Sequence, residues 1–184
     1  MPHNLRAPYY LILSNHCTCS SCGQTTAVHA LAVPPSHETL DPDDSDDEQT
    51  ESLGQTDGDF QAWLLREDGW HRDPSGAVLS GVSLLDRPTL DCITPYTPGF
   101  APDPKRRGVW TNHCSHCKQP ILTGQLMAFP GSAFTPSDAD QARAVGIQRM
   151  TSPLQASVEL RWTDAYPDLW PLLQHLGFAD HNPP

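Results

Sequence analysis

Two Cys-x-x-Cys pairs, Cys19-Ser20-Ser21-Cys22 and Cys114-Ser115-His116-Cys117, constrain what this chain can fold into more than any other feature. Two intervening residues let the backbone turn tightly enough for both thiolates to meet one ion, and Gly23 supplies the positive φ that ends such a turn. One pair offers two ligands, whereas a structural zinc takes four at tetrahedral geometry, with Zn–S near about 2.3 Å. The expected metal site is therefore Cys19, Cys22, Cys114 and Cys117 around one Zn2+. The difficulty is spacing, because 91 residues lie between Cys22 and Cys114. Loop-closure entropy grows only logarithmically with length, so the insertion is tolerable if the strands beside each pair bring the two together.

Ligand identity has rivals. Asn15-His16-Cys17 beside the first pair recurs as Asn112-His113-Cys114 at the second. Matching the two tripeptides sets Cys17 against Cys114, but it also sets Ser20 against Cys117 and leaves one pair incomplete. Cys19 and Cys22 are therefore the expected ligands. Cys17, His16, His113 and His116 remain alternative ligands or donors around the site. Cys92 has no partner at this spacing and reads as a small buried hydrophobe.

Six cysteines would also suit three disulfides, yet four of them in metal-type pairs point to a reducing compartment, with the cytoplasm expected. The longest early apolar run spans residues 9–13, short of a secretory core, and nothing approaches the roughly 18 apolar residues of a membrane helix. A soluble protein with no membrane partner is expected.

Disulfide oxidoreductases place Cys-x-x-Cys at a helix N-terminus, where the dipole activates the thiol. Neither Gly-Gln-Thr-Thr after Cys22 nor Lys-Gln-Pro-Ile after Cys117 opens a helix, which disfavours redox catalysis. A catalytic zinc keeps three protein ligands and an open position, while four thiolates close the shell. His-Glu-x-x-His, the Walker A loop, Gly-x-Gly-x-x-Gly and Gly-x-Ser-x-Gly are all missing from the sequence.

The chain has 184 residues, a size that suits one domain, and 19 prolines that exclude long helices. Its net charge of −11 is local: residues 41–59 carry nine carboxylates and no Lys or Arg, which leaves −2 elsewhere. The expected organisation is a single zinc-stabilised domain over 1–184, with 34–59 as a flexible acidic insertion. Lys105-Arg106-Arg107 beside Trp110 could grip phosphate, but the residual charge disfavours nucleic acid.

Strands are expected over 9–13 and 25–33, and two or three short elements over 60–86 with a turn at Asp68-Gly69. Five prolines predict an extended connection over 88–104. A strand and turn should follow over 120–134, then a short helix capped by Ser137 or Asp138 and running to 145. Val158, Leu160 and Trp162 alternate with polar residues, as in a strand with those three inward. Leu169, Leu172, Leu173 and Leu176 recur at helical spacing before Gly177, with Asp168 as N-cap. The five tryptophans read as core plugs.

A knuckle on a β-hairpin in each half resembles the zinc-ribbon group, and more loosely uncharacterised bacterial proteins whose ribbon is split by a long insertion. The likeness covers residues 9–33 and 110–134. It implies metal binding, together with the roles ribbons serve: protein docking, nucleic-acid-associated machinery or fold stabilisation. The expected fold is α+β, mainly short antiparallel strands around a split ribbon with a short C-terminal helix. The expected function is a zinc-binding, non-catalytic interaction module for a protein partner. A nucleic-acid-associated ribbon and a zinc-dependent hydrolase are the alternatives.

Overall fold

The computed structural model describes residues 3–40 and 69–179. The strands, in chain order, are β1 (Leu5–Ala7), β2 (Tyr10–Thr18), β3 (Thr25–Val33), β4 (Glu38–Thr39), β5 (His71–Arg72), β6 (Ala77–Ser80) and β7 (Leu84–Leu85). They continue with β8 (Phe100–Asp103), β9 (Val109–His113), β10 (Pro120–Ile121), β11 (Gly146–Met150), β12 (Leu154–Ser157) and β13 (Leu160–Trp162). The helices are α1 (Arg87–Ile93), α2 (Thr123–Met127), α3 (Ala139–Arg143) and α4 (Trp170–Leu176). The result is an α+β fold of mostly antiparallel sheets with a short C-terminal helix.

The long hairpin β2–β3 is the spine of the sheet ordered β11-β2-β3-β6-β13. Its apolar stretches are nearly continuous rather than alternating because this sheet is buried on both faces. Leu11, Leu13, Val28, Ala30 and Ala32 face a cluster with Phe134, Leu169, Leu172 and Leu173. Tyr10, Ile12, Leu31 and Val33 face the opposite way, toward Leu5, Ala7, Leu154 and Ala156 of the second sheet, β5-β4-β1-β12-β7. The third sheet, β10-β9-β8, carries the second cysteine pair.

Several sequence expectations change. Residues 34–40, placed in the acidic insertion, are built into the fold: β4 pairs with β1, and His37 is fully buried. The rest of that insertion, the elements expected over 60–68 and Trp63 lie outside the described residues. The segment 88–104 is not an extended connection. Asp86 accepts the Thr89 N–H at 3.2 Å and starts α1, with Pro88 in the first turn, where its missing N–H costs nothing. Pro102 sits in β8, an edge strand that tolerates proline. Over 120–134 the strand is only β10, and α2 replaces the turn, its first turn closed by the Gln125 side chain accepting from the Leu122 N–H. Asp138 caps α3 as expected.

The strand over 157–162 is split. β12 belongs to the second sheet and β13 to the first, and Asn4 clamps the crossover by accepting the Val158 N–H and donating to the Val158 C=O, both at 2.9 Å. The facing then inverts: Leu160 is 38% exposed while Arg161 is 4% exposed. Arg161 can be buried because Asp73 lies 3.9 Å from its Nε and Thr39 accepts from it. His37 completes this buried group, its Nε2 being 3.7 Å from Asp73.

The leucine stripe of α4 is core, and Gly177 ends the helix at φ 70°. Asp168 lies in a preceding 3-10 turn, however, and caps nothing. Trp70, Trp110, Trp162 and Trp170 are half-buried rather than core plugs, and Cys92 is also half-buried.

Candidate metal centre

Each cysteine pair forms the loop of a β-hairpin, the first between β2 and β3 and the second between β9 and β10. The two loops have the same bonds. Cys19 N–H donates to Gln24 C=O at 2.9 Å, as Cys114 N–H does to Gln119 C=O at 2.9 Å. Gly23 N–H returns to Cys19 C=O at 2.8 Å, as Lys118 N–H does to Cys114 C=O at 3.0 Å. Both returning residues are left-handed, Gly23 at φ 71° and Lys118 at φ 61°. Lysine pays a steric cost in this region that glycine does not. Lys118→Gly is accordingly expected to stabilise the protein by about 0.5–1 kcal/mol, read as a higher melting temperature.

The fold brings the two loops together. The Sγ atoms of Cys19 and Cys117 are 3.7 Å apart, as are those of Cys22 and Cys114, and all four sulfurs lie within 4.8 Å of one another. These contacts are far too long for disulfides. A tetrahedron with metal–sulfur bonds of about 2.3 Å has sulfur–sulfur edges of about 3.8 Å. The two close contacts match that edge, so the four cysteines could hold a metal ion.

Asn112 latches the hairpins. It donates from Nδ2 to His29 C=O at 2.8 Å and accepts the His29 N–H at 2.7 Å, standing in for a strand residue between β9 and β3. Ser115 N–H donates to Thr26 Oγ1 at 3.0 Å, and the two hydroxyls are 3.1 Å apart. Gln125 Nε2 reaches Ser20 Oγ at 2.7 Å across the loops.

Knuckle amides shape the thiols. The Cys117 and His116 amides, pointing at Cys114, hold its thiol down at about 6 against desolvation. Cys19 is lowered by the Cys22 and Ser21 amides. The Gln24 amide favours the Cys22 thiolate too, but desolvation and the neighbouring sulfurs of Cys117, Cys114 and Cys19 outweigh it and push Cys22 up to about 12.

The rival residues are placed elsewhere. Among the described residues the cluster holds four thiols with neither carboxylate nor imidazole in it. His113 Nδ1 is 3.3 Å from Gly99 C=O, and His116 Nε2 is 3.2 Å from Thr25 C=O. His16 is exposed. Cys17 packs against the core, and burial pushes its thiol up. Of the two recurring Asn-His-Cys tripeptides only the second brings a cysteine, Cys114, into the cluster; what they share is a structural asparagine, since Asn15 Nδ2 donates to Ala133 C=O at 2.6 Å as Asn112 does to His29 C=O. Sequence reasoning missed this role, and the repeat itself was the signal. Lys105-Arg106-Arg107 lies at the turn between β8 and β9, a strand's length from Cys114.

No family model, curated protein or solved structure matches the chain. Among the described residues no helix is long and apolar enough to cross a membrane.

Proposed function

We propose that the four cysteines bind one Zn2+ as a closed structural site, and that the protein is a non-catalytic module that docks a protein partner. The observation that carries this reading is the all-sulfur cluster at tetrahedral edge spacing. Thiolates select soft or borderline metals, and zinc is the one that takes four of them without redox chemistry. Closure of the shell by four protein ligands leaves no position for a reacting water, which argues against a hydrolase. The distance between the basic turn and the knuckles argues against a nucleic-acid face built on the ribbon. Six free cysteines fit a reducing compartment, and hence the cytoplasm.

Elemental analysis with native mass spectrometry tests the site, with one zinc per chain expected. A content near zero after purification in zinc-containing buffer, or iron in its place, would reject it. Binding has to displace thiol protons, since desolvation and the neighbouring sulfurs push Cys22 up to about 12. Zinc affinity is therefore expected to fall as pH falls. Calorimetric titration in two buffers of different ionisation enthalpy reads the proton count directly.

A further inference from the structure

Beside the first knuckle runs a groove of about 640 Å³ whose lining contains no Asp, Glu, Lys or Arg. One wall is the outer edge of β2. β11 pairs with that edge only from Tyr10 to Ser14, where Gly146 stands opposite Ser14. Past Gly146 the chain turns away into α3, and among the described residues no strand pairs with β2 beyond Ser14 on this side.

Ladder alternation shows which groups are left. Cys19 N–H is bonded to Gln24 C=O, so Cys17 and Asn15 also point their backbone groups toward β3, while His16 and Thr18 point theirs outward. The His16 N–H is held by its neighbour Asn15 Oδ1 at 2.8 Å, as on an edge without a strand beside it. His16 C=O and both Thr18 groups therefore face the groove. The other wall is formed by 130–133, Pro136 and Ala144, and the Asn15 side chain ties it to β2 by donating to the Ala133 C=O.

We propose that this groove takes an extended, uncharged peptide segment of a partner protein, which adds as a strand to β2 and continues the ladder where β11 leaves it. The proposal rests on the interaction-module reading and deepens it. Strand addition satisfies the edge groups by main-chain bonds, and the neutral lining gives a charged side chain no counterion. A lone peptide needs only the short free edge beside this groove, whereas a second copy of this chain would arrive with a whole sheet behind its edge.

The test selects peptides on the zinc-loaded full chain from a random-peptide phage library, then synthesises them with N-methyl groups on alternate residues. Methylation of the set facing β2 is expected to weaken binding by about tenfold or more, and of the other set by less than about twofold. Thr18→Pro removes an outward N–H that no ladder bond uses, and Ser132→Trp fills the groove. Both are expected to weaken binding by about tenfold or more while zinc content and melting temperature stay as in the parent. Equal tolerance of both methylation sets would overturn the proposal. Zinc-dependent binding that ignores both variants would overturn it while leaving the interaction reading intact. Failure to enrich any peptide over zinc-stripped protein would overturn both. Self-association abolished by Thr18→Pro would reassign the edge to a second copy and overturn the peptide proposal.

Discussion

With zinc held as proposed, Cys114→Ser is expected to lose the ion and lower the melting temperature by about 10–20 °C. Cys114 is fully buried at the junction of the two hairpins. Serine offers a poor ligand and leaves a tri-thiolate cluster. Structural zinc contributes about 10–16 kcal/mol in small finger peptides, where it is the folding energy. Here β2 and β3 also have an extensive core, so the loss should be smaller, about 5 kcal/mol, and each kcal/mol is worth about 2–4 °C in a chain of this size. Cys92→Ser, away from the cluster, should keep its zinc and melt within a few degrees of the parent. Excess chelator should bring the parent down to the level of Cys114→Ser and leave the variant unmoved. Thermal melts with and without chelator check all three, and a Cys114→Ser protein that melts like the parent would exclude a structural role for that ligand.

Asn112→Ala is expected to cost about 3–4 kcal/mol and to weaken zinc binding by about tenfold or more, without changing the proposed stoichiometry of one ion per chain. Asn112 is 4% exposed, and its amide bonds both the N–H and the C=O of His29. Alanine strands those two buried groups, at about 1–3 kcal/mol each, and unlatches the second knuckle from the first. Four sulfurs must then be gathered from two hairpins that are no longer held in register, so metal binding supplies the lost ordering. Asn112→Asp should not rescue, because a carboxylate accepts from the His29 N–H but repels its C=O. Competition with a chromophoric chelator reads the affinity, and denaturant unfolding reads the stability. An alanine variant with parental zinc affinity would show that the two hairpins meet without the latch.

The spacing of Cys19 with Cys22, and of Cys114 with Cys117, picked out the four sulfurs that come together, because a two-residue loop is a local geometric requirement. The leucines of α4 and the cap at Asp138 were legible for the same reason. Lys118 was not seen as the counterpart of Gly23, since a left-handed lysine leaves no compositional mark. Five prolines misdirected the reading of 88–104, where the position of each proline in its element mattered more than their number.

From the sequence alone came the two knuckle turns, the strands that carry the first of them and the closing helix, all products of contacts within a few residues. Tertiary structure alone decided that Asn4 moves the chain from one sheet to the other, that Arg161 turns inward to Asp73, and that Asn112 joins β9 to β3. Each of these is the satisfaction of a buried polar group by a partner tens of residues away. Such a partner is chosen by which surfaces pack together, and neither periodicity nor spacing within a short window contains that information.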